Sequence, residues 1–133
     1  MRPADETALH EVLEARGRFG HREHLELAWT YLSRYTPDAA EPVMTEAIRR
    51  VAARHGAPDR YHDTITRSWL RLVAVHRARS DAGSFDAFIA QDANRGLLDR
   101  HLLAGHYSSA VLFSDAARRE WAPPDLRPLP TPA

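Results

Sequence analysis

Cysteine and lysine are both missing from this chain of 133 residues. Without cysteine there can be no disulfide, no thiolate catalysis and no Cys-type zinc site. Without lysine all eighteen basic residues are arginine, and against the alanine-rich background this reads as the coding bias of a GC-rich genome rather than a selected phosphate site. Net charge is missing too: eighteen basic side chains balance eighteen acidic ones, which argues against a nucleic-acid-binding surface. No apolar run approaches the roughly 18 residues of a spanning helix, and nothing resembles a signal peptide. The expectation is a cytoplasmic protein with neither membrane nor nucleic acid among its partners.

What is present suits one helical domain. The 44% hydrophobic and 27% charged fractions are ordinary for a globular protein, and the length is enough to bury a core. Between Asp5 and Arg16, Leu9, Val12 and Leu13 recur at helical spacing, and Gly17 supplies a stop. A second helix is expected from His21 to Tyr35, ended by Thr36-Pro37-Asp38. A third runs from Glu41 to His55, with Pro42 in its first turn and His55-Gly56 as its C-terminal signature. Asp59 is a good N-cap for a fourth, Arg60 to Arg79, whose inner face carries His62, Ile65, Thr66, Trp69, Leu72, Val73 and His76. Ser84 caps a short helix bearing Phe85, Phe88 and Ile89. Leu97 to Leu103 reads as helical, and Ser108 to Trp121 as one helix or two halves. Five prolines from Pro123 onward forbid helix, so that tail should wrap the surface or hang free and add little to the core. The fold class is therefore all-α: a compact bundle of about five helices over residues 1–122, with an extended Pro-rich tail over 123–133.

The stretch from Phe19 to Leu32 carries the chemistry. At about 100° per residue, His21 and His24 lie roughly 60° apart, on the face shared by Leu25, Ala28 and Leu32, while Glu23 should look at water. Two imidazoles on an apolar face invite a metal or a reacting proton. In an up-down bundle the second and fourth helices start at the same pole, which brings His62 toward His21 and His24. His76 lies about 21 Å further along the fourth helix and cannot share their site. Three histidines plus an open position suit a divalent transition metal, whether zinc, iron, manganese or copper. His106, after the break at Gly105, is the next candidate ligand and His55 the one after it. Tyr61, Asp63 and Tyr107 are candidates for proton traffic or for orienting an imidazole. The same residues also fit a plainer account, with His21 and His24 packing at a helix start, His62 bonded to a hydroxyl such as that of Thr66, and His55 a C-terminal cap.

Phe-x-His-x-x-His-Leu-x-x-Ala-Trp-x-Tyr-Leu at 19–32, with Tyr-His-Asp-Thr-Ile-Thr-Arg-Ser-Trp at 61–69, resembles a group of small all-helical bacterial proteins. His106-Tyr107-Ser108 and the Trp121-to-Pro130 tail fit the same pattern. The resemblance implies a helical fold and no particular activity. Metal-dependent bundles of the DinB type also bind metal through three histidines, but the order and spacing here depart from theirs. Two functions follow as expectations. One is a small metal-dependent enzyme acting on a small molecule. The other is a metal-free helical binding or subunit protein with structural histidines, which could form a homo-oligomer.

Overall fold

Gly17 does what its position suggests. In the computed structural model, which describes residues 5–131, helix α1 (Thr7–Arg16) stops where Gly17 turns left-handed at φ 69° and returns its N–H to the Leu13 carbonyl. Helix α2 (His21–Arg34) begins after Gly20, whose amide donates to the Glu23 carboxylate at 2.7 Å. Glu23 is therefore not the water-facing residue that angular position predicts: it is 3% exposed. Its carboxylate folds back to serve a first-turn amide, and the Arg18 guanidinium lies 3.6 Å away. Burial alone would raise its pKa, but these partners outweigh burial and hold it below the ordinary value.

Helix α3 (Pro37–Arg54) starts four residues before Glu41. Pro37, which ends α2, also opens α3 at the first helical position, where its missing amide costs nothing. Pro42 then falls inside the helix. At the next junction Pro58–Arg60 form a separate 3₁₀ turn, and Tyr61 is extended, so Asp59 cannot cap the following helix. Helix α4 (Asp63–Ala78) is capped instead by His62, whose Nδ1 accepts the Ile65 amide at 3.1 Å. Serines open the rest: Ser84 caps α5 (Phe85–Ala90), Ser108 caps α6 (Ser109–Leu112) and Ser114 caps α7 (Asp115–Arg119). The helix expected over Leu97–Leu103 is instead the end of one 3₁₀ run, Asp92–Leu98, and the start of another, Leu102–Gly105. Asp99 adopts an extended conformation between them. No strand occurs among the described residues, and none of their helices is long and apolar enough to cross a membrane.

The packing centres on α4, which lies against α2, α3 and α7. It is buried on nearly every side, by Trp69, Leu70, Leu72, Val73 and Val75 and by the small polar residues Thr64, Thr66 and Ser68. Leu25, Leu27, Ala28 and Tyr31 of α2 and Met44 and Ala47 of α3 complete the centre, with α1 and α5 outside them. Charge joins α3 to α4. Asp63 accepts from Arg67 at 2.8 Å and from Arg49 at 3.2 Å, and Glu41 accepts from Arg67 at 3.1 Å and from Arg71 at 2.8 Å.

The tail wraps the surface and is held there. The Tyr107 hydroxyl donates to the Ala122 carbonyl at 2.7 Å, the Ala122 amide donates to Thr64 at 3.0 Å, and Asp125 receives the Ser108 amide at 2.8 Å. The His106 carbonyl accepts the Leu126 amide at 2.9 Å, while its Nδ1–H is shared between the Arg127 and Pro128 carbonyls at 3.0 and 3.1 Å. Arg71 lies 3.8 Å over the Trp121 ring, and Leu129 packs on the core. Composition alone suggests an expendable tail; these bonds make it part of the fold. Removing residues 123–133 should lower the thermal midpoint by about 10 °C or more, the loss of roughly 2–4 kcal/mol in a domain of this size. A calorimetric midpoint within about 3 °C of the full chain would show the clasp to be ornamental.

Candidate functional site

The histidines meet carbonyls rather than one another. His21 donates its Nε2–H to the Leu97 carbonyl at 2.8 Å, and its ring stands edge-on to Trp69 with centroids 4.4 Å apart. His62 donates its Nε2–H to the Leu112 carbonyl at 2.7 Å while Nδ1 caps α4, so both of its nitrogens are engaged and the ring is neutral. His106 is buried with its Nδ1–H committed to the tail. His24 stacks on Phe19 with centroids 5.9 Å apart, and its Nε2 is inaccessible to solvent and has no hydrogen-bond partner. His55 is exposed just past α3. His76 is at the far end of α4, within 3.0 Å of the Asn94 side-chain oxygen. Among the described residues, no three His, Asp or Glu side chains are grouped to hold a metal ion. The set of His21, His24, His62 and His106 is thus not gathered around one point; His21 and His24 line one cleft, His62 has both nitrogens engaged, and His106 bonds the tail.

A cleft does form at this pole. It has a volume of about 490 Å³. One wall is the long helices: His21 and His24 of α2, Ile65 and Trp69 of α4. The other is irregular chain, with Arg100 and His101 at the turn, Leu103 and Ala104 in the 3₁₀ run, and Tyr107, Leu112 and Phe113 beyond. The helix-start geometry accounts for the first wall. His62 stands just behind the second, bonded to the carbonyl of Leu112. Arg100, His101 and Phe113 escape a reading by periodicity, because they sit in turns with no regular spacing. Adjacent Arg-His after an Asp turn is the only local hint of them.

Tyr61, Asp63 and Tyr107 are divided by the structure. Tyr61 and Asp63 sit on the α3 side, away from the cleft lining; the phenol donates to Asp63 at 2.6 Å beneath the Arg49 guanidinium. Burial, and then the Asp63 carboxylate, raise the Tyr61 pKa far above its usual value. Tyr107 lines the cleft, but its hydroxyl is spent on the Ala122 carbonyl, and burial raises its pKa as well. Both phenols are hydrogen-bond donors at neutral pH, and Asp63 is a buried anchor for three donors. No family model, curated protein or solved structure matches this chain.

Two outcomes are expected. Asp63→Asn should cost about 3 kcal/mol, since breaking a buried, hydrogen-bonded ion pair leaves its partners uncompensated; a midpoint unchanged in calorimetry would remove Asp63 from the structural role. The second outcome is a pH dependence. Burial, aided by neighbouring His21, pushes His24 down to about 4, and burial also lowers His62 against the upward pull of the Leu112 carbonyl. Both are neutral in the fold and take up a proton on unfolding below about pH 6.5. The unfolded chain then binds more protons, so stability is full above that pH and falls as pH drops toward 4. The expected loss from these two groups is about 1–3 kcal/mol by pH 4.5, on top of that from carboxylates such as Glu6 and Glu41 whose pKa the fold lowers. His24→Phe should flatten the midpoint-against-pH curve over that window, and an equally steep curve in the variant would exclude His24 as a source.

Proposed function

We propose that this chain is a metal-free helical binding protein that takes a small molecule into the cleft between α2, α4 and residues 100–113, with most of its histidines serving the fold. The observation that carries the reading is the commitment of the imidazoles. His21 and His62 give their Nε2 protons to the Leu97 and Leu112 carbonyls. To ligate an ion through those nitrogens, each would surrender a bond that ties a 3₁₀ or single-turn segment to a long helix. His21 could keep its carbonyl bond and offer Nδ1, but both nitrogens of His62 are engaged, so the metal-dependent enzyme reading asks His62 to surrender either the Leu112 bond or the α4 cap.

The walls suit a ligand better than an ion. Trp69, Ile65, Leu103 and Leu112 give an apolar lining, and the volume of about 490 Å³ is in the range of small-molecule pockets. Among the described residues four large hydrophobic side chains are left exposed, and Phe113 is on this lining, Phe19 stacks on the lining residue His24, and Leu98 follows the carbonyl that His21 holds. An exposed phenylalanine on the lining, at 66% exposure, points to a contact made in use.

A titration of the full chain with the neutral aromatic 1-naphthamide, followed by amide NMR, tests the reading. Shifts should concentrate on residues 65–69 and 100–113. Ala104→Trp, at a small exposed position on the lining, should block them while circular dichroism stays unchanged. Zinc added to the same protein should show no stoichiometric binding by calorimetry. Shifts scattered over the surface, or one tightly bound zinc lost in His24→Ala, would overturn the proposal.

A further inference from the structure

We infer that the ligand of this cleft is an organic acid: a planar apolar body lying against Trp69 and Phe113, ending in a carboxylate that meets Arg100 and His101. The inference rests on the binding reading above and adds the sign of the ligand's charge.

Charge on the lining is of one sign. No aspartate or glutamate contributes to the cleft, and its titratable groups are an arginine, three histidines and the Tyr107 phenol, with Arg100 the one fixed charge. The nearest acid in sequence, Asp99, is not part of the lining and accepts the His101 amide at 2.9 Å. Arg100 is exposed and makes no ion pair with any described residue, although the arginines of α1 to α4 mostly find carboxylates. An unpaired guanidinium at the mouth of an apolar slot suits a carboxylate, because its planar fork matches the two oxygens and hydration holds it weakly.

The body of the ligand follows from the remaining surfaces. Phe113 is 66% exposed on the lining, opposite a wall where His21 stands edge-on to Trp69. Flat rings on both sides favour a flat guest. A volume of about 490 Å³ accommodates two fused rings with a short side arm. On the same wall the buried Nε2 of His24 has no hydrogen-bond partner.

The test compares 1-naphthoate with 1-naphthamide, which have nearly the same shape and differ in charge, on the full chain at pH 7.5. Naphthoate should bind about ten-fold more tightly, and in Arg100→Gln the ratio of the two affinities should fall to about one. Equal affinities, or tighter binding of the amide, would overturn the inference and leave the binding reading standing. Failure of both compounds would overturn both. A carboxylate preference that survives Arg100→Gln and also His101→Gln, with the fold intact by circular dichroism, would show that the charge is recognised elsewhere and would likewise overturn the inference.

Discussion

An imidazole N–H pointed at a backbone carbonyl is the contact on which the C-terminal third of this protein depends. Residues 92–113 are built from 3₁₀ runs and a single-turn helix, and such segments leave carbonyls without a partner four residues on. A buried carbonyl left bare is costly. The long helices supply the missing donors: His21 from the start of α2 reaches Leu97, and His62 from the start of α4 reaches Leu112. His106 does the same for the tail at Arg127 and Pro128. A histidine can do this because its ring is short, stiff and mostly apolar, so it is buried at lower cost than a charged donor. His62 carries the heaviest duty, since its other nitrogen caps the central helix and the ring must stay neutral to do both.

The opposite side of α4 is held by a different device. Asp63, Arg67 and Arg71 recur one turn apart, and Glu41 and Arg49 of α3 interleave with them. The row continues into Trp121, on which Arg71 lies, and so reaches the chain just before the tail. Hydrogen-bonded imidazoles therefore face the cleft while fixed charges face α3, and the sequence difference between the two sides of α4 is one of donor type as much as of polarity.

Helix existence was legible from spacing, and so were several boundaries. Gly17, Gly56 and Ser84 act where their conformational preferences place them, with both glycines at positive φ. The misjudged boundaries share a cause: two residues competed for one job. Asp59 and His62 are both able to cap, and the 3₁₀ turn at Pro58 decided for His62. Pro37 and Pro42 both suit a first turn, and the earlier one took it. Glu23 broke the angular rule because a first-turn amide outweighed exposure to water. The site was half legible. Periodicity and topology brought His21, His24 and the neighbourhood of His62 to one pole, yet the partners of His21 and His62 are carbonyls, and a carbonyl has no letter in a sequence. The basic and aromatic residues of the far wall sit in turns, where no period announces them.

The two walls of the cleft differ in mechanical character. On one side α2 and α4 are long, mutually packed and continuous with the core; on the other, residues 100–113 consist of short turns anchored at a few points. Local opening in proteins is drawn from segments with few buried contacts and exposed backbone bonds. By that measure the short-turn wall is the one held by fewer regular backbone bonds, although Leu103, Tyr107 and Leu112 bury their side chains in the core. Loss of the bond at Leu97 or at Leu112 would therefore loosen that wall and leave the helical one in place, so the shape of the cleft hangs on two imidazoles that belong to the opposite wall's helices.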